Sequence, residues 1–179
     1  MTDEELMGLL VDENEEAFTL LYEKYKNHVY RYIHSLIGKS YIVEDIFHEV
    51  FLSLYRNRKS YTRLSTFKTY LFSIARSKCI DYMRKNKNLV FYLDNSDLEK
   101  QGYSENFAER LHREQVRTDF NSLLSLLPEK QKSALHLKDV EGMDYETIST
   151  ILNMPLGTVK TLIHRGRESI YKAIRNKYE

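Results

Sequence analysis

Apolar residues recur at three- and four-residue intervals along most of the chain, and no stretch shows the strict alternation that would mark a strand. Thr2 with Glu5 has the form of a capping box, which predicts a short first helix, and Asn14 stands where it would cap a second. In that second stretch Phe18, Leu21, Tyr25, Val29, Tyr32, Ile33 and Leu36 share one face, and Gly38 suits a left-handed stop. Ile42, Ile46, Val50 and Leu54 follow at strict four-residue spacing, predicting a third helix from about Ile42 to Arg58. Ser65 or Thr66 then caps a fourth, through Phe67, Leu71 and Ile74 to about Lys85. Four such amphipathic helices can bury their apolar faces only on one another, as a bundle.

The period is lost from Leu89 to about Ser104, where Asn, Asp, Ser, Gly and Gln gather as in a linker. It resumes near Phe107 and continues through Leu111, Val116, Phe120, Leu123, Leu124 and Leu127 into a second, smaller bundle. Pro128 and Pro155 fit helix starts, Gly142 fits a helix end, and Asp144 fits an N-cap. Residues 144 to 166 read DYETISTILNMPLGTVKTLIHRG, a short capped helix, a break at Asn153 and a longer helix: the pattern of a helix-turn-helix. If Val159, Leu162, Ile163 and Ile170 point inward, then Thr158, Lys160, Thr161, His164, Arg165 and Arg167 lie on the outward sector, where groove contacts would originate. An ordinary helical hairpin with a solvated cationic face would show the same spacing. The predicted fold class is all-α, two small helical domains joined by a flexible linker, the C-terminal one containing the helix-turn-helix.

Composition narrows the function classes. With 6 Gly, 2 Pro and 1 Cys in 179 residues, collagen-like chains, disulfide scaffolds and Cys-based zinc modules are excluded. No His or Cys stands at ligand spacing beside His164, so no metal and no cofactor is expected. No apolar run approaches the roughly 18 residues of a membrane span, and the acidic start is unlike a secretory signal; membrane insertion is not expected and a cytoplasmic location is. A formal net charge of +1 argues against a nucleic-acid partner until it is resolved by segment. Residues 1 to 54 hold eleven acidic side chains against four basic ones, whereas Tyr55 to Lys87 holds ten basic ones against Asp81 alone. Asn88 to Gln115 is acidic again, and Met154 to Glu179 carries six basic residues against two acidic ones. Two basic blocks are masked by acidic ones, which points to phosphate contact by at least one of them.

These residues resemble a known family. From Leu127, LPEKQKSALHLKDVEGMDYETISTILNMPLGTVKTLIHRGRESI is similar to region 4 of bacterial sigma-70 factors of the extracytoplasmic-function type. AFTLLYEKY from Ala17, VEDIFHEVFLSLYR from Val43 and STFKTYLFSIARSKCIDYMRK from Ser65 resemble region 2 of the same family, in the same order. The resemblance implies a factor without catalysis of its own that binds core RNA polymerase, directs it to promoters and helps to open the DNA. It divides the chain into a region 2 domain over 1–87, an acidic linker over 88–115 and a region 4 domain over 116–179. Glu44, Asp45, His48 and Glu49 then fall on the polymerase-docking helix, His48 standing where the family commonly has Gln. Phe47 and Phe51 beside them suit the core as well as the docking face. Tyr61, Arg63 and Ser65 align with the loop that receives a flipped −10 base, and Arg76, Ser77, Lys78, Arg84 and Lys85 lie on the helix after it. Tyr70 replaces the usual Trp, and Ser77 replaces the Asn that helps to read the base. Lys160, Thr161, His164 and Arg165 become readers of the −35 element, with Thr158 and Arg167 on phosphate. Leu162 stands at a commonly basic position, and Gly166 replaces a common Ala, which would bend or loosen the recognition helix.

An anti-sigma factor is a further candidate partner. The acidic linker would thread the polymerase toward its active-site cleft, a flexible tether being the simpler alternative. A stand-alone helix-turn-helix regulator is the rival function, although it would have no reason to carry an acidic helix ahead of a melting block. An enzyme is poorly supported, because there is no Gly-rich phosphate loop and no nucleophile with a paired base. Whether the two bundles pack on each other is left open by their opposite charges.

Overall fold

Helices begin where the chain supplies a side-chain cap. In a computed structural model describing residues 1–38, 40–62, 64–86 and 122–178, the Thr2 hydroxyl accepts from the Glu5 amide at 3.2 Å and the Glu5 carboxylate from the Thr2 amide at 2.7 Å. That reciprocal pair opens α1 (Asp3–Val11). The Asn14 side chain accepts from the Ala17 amide at 2.9 Å and opens α2 (Glu15–Ile37), which ends at Gly38 with φ 77°. α3 (Ser40–Arg56) stops before the expected Arg58, because Arg58–Ser60 tightens into a 3-10 turn. Thr66 is the cap of α4 (Phe67–Lys85), its hydroxyl accepting from the Thr69 amide at 3.2 Å.

Beyond Pro128, α5 (Glu129–Leu135) widens into a π turn (His136–Val140) that ends at Gly142, φ 68°. α6 (Tyr145–Leu152), the left-handed Asn153 at φ 50° and α7 (Leu156–Tyr178) complete the helix-turn-helix. Among the described residues, each expected helix is present. The expected linker over 89–104 and the return of the period between Phe107 and Phe120 lie outside them.

Packing of the four N-terminal helices buries Met7, Leu10, Leu21, Tyr32, Ile33, Leu54, Phe67, Leu71 and Phe72 completely. Phe47 and Phe51 are core residues: their rings sit 5.1 Å apart, and Tyr22 meets Phe51 edge-on at 4.8 Å. The C-terminal helices close on Leu124, Leu135, Leu137, Ile148, Val159 and Ile163. Gly166 does not loosen α7, which runs through it unbroken. A Cβ there would meet Leu127, Gln131 and Leu135 at 3.6 to 3.7 Å, so the glycine is buried against α5 at ordinary van der Waals distance.

The two bundles pack on each other, α4 against α6 and α2 against α5 and the π turn. At the centre of the seam the Tyr32 and Ser133 hydroxyls bond at 2.6 Å, both fully buried, and the Tyr32 ring meets the His136 ring at 5.4 Å. Burial pushes the Tyr32 phenol upward in pKa, so it is present there as a neutral hydroxyl.

Candidate nucleic-acid interface

Thr158, Lys160, Thr161, His164, Arg165 and Arg167 are all exposed, with Val159 and Ile163 buried behind them and Leu162 and Ile170 half-buried at the margin. The turn that aims this face is held by side chains. The Asp144 carboxylate accepts from the Thr147 amide at 2.6 Å, hydrogen bonding that also lowers its pKa, and the Ser149 hydroxyl donates to the Met154 carbonyl at 2.5 Å across the break. Arg167 is committed within the chain: its guanidinium grips Asp139 of the π turn through two nitrogens, which raises its pKa further. His164 lies 3.7 Å from Glu168, and the Thr161 hydroxyl donates to the Gly157 carbonyl at 2.9 Å.

The residues expected at the −10 element occupy a different edge. Tyr61 is half-buried, its hydroxyl donating to the Ser65 carbonyl at 3.1 Å and its ring 5.1 Å from that of Tyr70. Ser65 is half-buried, Ser77 and Lys85 are exposed, and Arg63 lies outside the described residues. Arg76 is only 14% exposed and reaches Glu129 of α5 at 3.2 Å. Beside it, Ser73, Ser77, Ile80 and Asp81 of α4 form a shallow cleft with Ile151 of α6. Part of the edge expected to meet the −10 element is therefore covered by the helix-turn-helix domain. On α3, Glu44, Asp45, His48 and Glu49 are exposed as one edge, above Ile42, Val43, Ile46 and Val50.

The basic block is not a bare cationic face. Arg58 and Lys59 pair with Glu13, Lys68 with Glu141, Arg76 with Glu129, Lys78 with Glu49 and Arg84 with Asp81. Five of these six cations borrow their anion from outside the block, a pairing that counting charges along the chain cannot show.

Glu141 is the residue sequence reasoning missed. Its carboxylate is completely buried between the bundles, 2.9 Å from His28 Nδ1 on α2 and 3.2 Å from Lys68 Nζ on α4, while Lys68 also donates to the Glu141 carbonyl at 2.9 Å. His136 Nε2 lies 3.8 Å from the other oxygen, beyond hydrogen-bond reach. Burial alone would raise the carboxyl pKa; His136, His28 and Lys68 outweigh it and hold it at about 2. Burial in turn lowers the pKa of His136, whose ring nitrogens have no hydrogen-bond partner. No signal in the sequence marks it: Glu141 follows the π turn, which places it where its amide bonds the His136 carbonyl at 3.1 Å.

Among the described residues no cluster of His, Cys, Asp or Glu could hold a metal ion, and no helix is long and apolar enough to cross a membrane.

A four-helix module with an acidic edge and a basic loop-helix edge, joined to a helix-turn-helix, defines the architecture of sigma factors. The chain matches the families described as Sigma-70 region 2, over residues 21–89, and Sigma-70, region 4, over residues 117–170, and it belongs to the sigma-70 family. Within that family it is an extracytoplasmic-function RNA polymerase sigma factor. It is 32% identical over 172 residues to the ECF RNA polymerase sigma factor SigW of Bacillus subtilis, covering 91% of each chain. It is 30% identical over 187 residues to the ECF RNA polymerase sigma-E factor of Haemophilus influenzae, covering 98% of this chain and 96% of that one. In fold it is similar to CnrH, solved with the cytosolic domain of CnrY, at a TM-score of 0.73 and 18% identity over 97% of both chains. It is also similar to RpoE of Bartonella quintana, solved with the anti-sigma factor NepR, at a TM-score of 0.68 and 22% identity over 88% of this chain and 96% of that one.

Proposed function

We propose that this sigma factor divides its work between three surfaces. The α3 edge of Glu44, Asp45, His48 and Glu49 docks on core polymerase, where complementary charge steers association and fixes register. Tyr61, Arg63 and Ser65 receive a base from the melted −10 strand, with Arg76, Ser77, Lys78, Arg84 and Lys85 along its backbone. Lys160, Thr161, His164 and Arg165 read the −35 element from the major groove, flanked on phosphate by Thr158 and Arg167. The working units are residues 1–87, an acidic tether over 88–115 and residues 116–179. The protein acts in the cytoplasm, has no catalysis of its own, and takes an anti-sigma factor as its regulatory partner.

The observation that carries the assignment is the recognition helix: the six residues nominated on α7 are all exposed, while Val159 and Ile163, between them in sequence, are buried. Arg76 must exchange Glu129, and Arg167 must exchange Asp139, before either can hold a phosphate. The packed arrangement is thus a resting form that opens on the polymerase.

Transcript mapping with purified core enzyme tests this function. Specific starts downstream of paired −35 and −10 elements, lost when either element is scrambled, are expected. DNA binding that is independent of core enzyme and starts no transcript would instead identify a stand-alone regulator.

A further inference from the structure

Helix α1 grips both ends of the segment that carries Tyr61 and Ser65. Its own inner face is sealed into the first bundle by Leu6, Met7 and Leu10. Asp3 ties it to α2, accepting from the Tyr25 hydroxyl at 2.5 Å and the Lys24 ammonium at 2.6 Å. From this anchored base two more carboxylates reach outward. Glu4 accepts from the Phe67 amide at 3.2 Å, at the first residue of α4, where the loop ends. Glu13, just past the other end of α1, accepts from Arg58 at 2.9 Å and stands 3.5 Å from Lys59, in the 3-10 turn where the loop begins. Arg58 is further held by donating to the Tyr55 carbonyl at 2.9 Å and by lying 4.4 Å over the Tyr55 ring. Between these two grips the Tyr61 hydroxyl closes onto the Ser65 carbonyl.

Glu13 also occupies a left-handed backbone position, φ 67°, where a glycine would sit without strain. The strain of a side chain there offsets what the carboxylate gains from Arg58, itself only 13% exposed. The residue therefore contributes little to net stability, whereas its carboxylate spans from α1 to the root of the loop.

We propose that α1 is a brace for the base-receiving loop, with Glu4 and Glu13 as positioning residues that set selectivity at the −10 element. The proposal rests on the assignment of Tyr61 to the flipped base, and the test separates the two. Holoenzyme carrying each variant is scored for open-complex formation on promoters substituted base by base at −10 and at −35. Glu13→Gly and Glu4→Ala are expected to flatten −10 preference on the order of fivefold, the scale of one lost helix-end hydrogen bond. Their −35 preference should stay at the parent level. Glu4→Gln, whose side-chain carbonyl still accepts the Phe67 amide, should retain the parent's −10 preference, and the melting temperature of Glu13→Gly should not fall. If Tyr61→Ala flattens −10 preference while Glu13→Gly and Glu4→Ala leave it intact, the brace is overturned. Equal losses at both elements with a lowered melting temperature overturn it as well. If Tyr61→Ala itself leaves −10 preference unchanged, the base-capture assignment fails and takes the brace with it.

Discussion

Replacing Glu141 by Gln removes a buried charge that both bundles share. The side chain is fully buried, and its neighbours hold its pKa near 2 against an ordinary 4.5. A depression of that size corresponds to about 3 kcal/mol favouring the ionised state in the packed form. His136 belongs to the same bundle as Glu141, so its part survives separation; His28 and Lys68 lie across the seam. Assigning roughly half to the seam leaves about 1.5 to 2 kcal/mol, a shift of about 10- to 30-fold in the ratio of packed to separated forms. Gln keeps the volume and leaves the backbone bond from Lys68 in place, so the change is one of charge. A donor and acceptor dye on the exposed faces of α2 and α7, followed through a urea titration, reads the separation directly. The separation midpoint should move to lower urea by the equivalent of that free energy. A midpoint identical to the parent's would refute the view that Glu141 ties the bundles together.

The pH dependence has the same origin. The Glu141 pKa is depressed, so its contribution is complete above pH 4.5 and is lost as pH falls from there toward 2. His136 is depressed from 6.5 by burial, so the packed form prefers its neutral ring and weakens as pH drops below 6.5. Acid should therefore separate the bundles in two stages, the histidine stage first.

Other expectations follow from local geometry. Gly166→Ala should stabilise the protein by about 1 kcal/mol, since it removes a helix-interior glycine and the new methyl finds ordinary contacts; calorimetry should show a rise of about 2 to 4 °C. Arg165→Ala should weaken −35 recognition by about 1 to 3 kcal/mol and relax base preference there, measured by competition among substituted promoters. Glu49→Lys should impair association with core polymerase in co-purification while leaving the helical circular dichroism unchanged, because Glu49 is exposed and its contact with Lys78 is a surface pair at 3.4 Å. Cys79 is fully buried and its thiol is pushed up to about 12, so thiol reagents should label it only on unfolding.

Local chemistry was legible because caps and glycines act within a few residues. Thr2, Asn14, Thr66 and Asp144 each bond an amide three residues on, and Gly38, Gly142 and Asn153 take the left-handed backbone that ends a helix. The outward face of α7 was legible for the same reason, since a 3.6-residue period that buries Val159 and Ile163 must expose Lys160, Thr161 and His164. The π turn was not, because i to i+5 bonding has no compositional mark of its own.

By itself the amino-acid sequence determined the helices, their capped ends and the outward sector of α7, all short-range consequences of periodicity and turn chemistry. Only the tertiary structure decided which acids neutralise the basic block, that Arg76 faces Glu129, and that Glu141 is sealed between Lys68 and two histidines. Apart from the local pairs Arg84 with Asp81 and His136 with Glu141, those pairings join residues between 29 and 113 positions apart, as in Lys78 with Glu49 and His28 with Glu141. The distance between such charges is set by how bundles pack, and no local propensity encodes it.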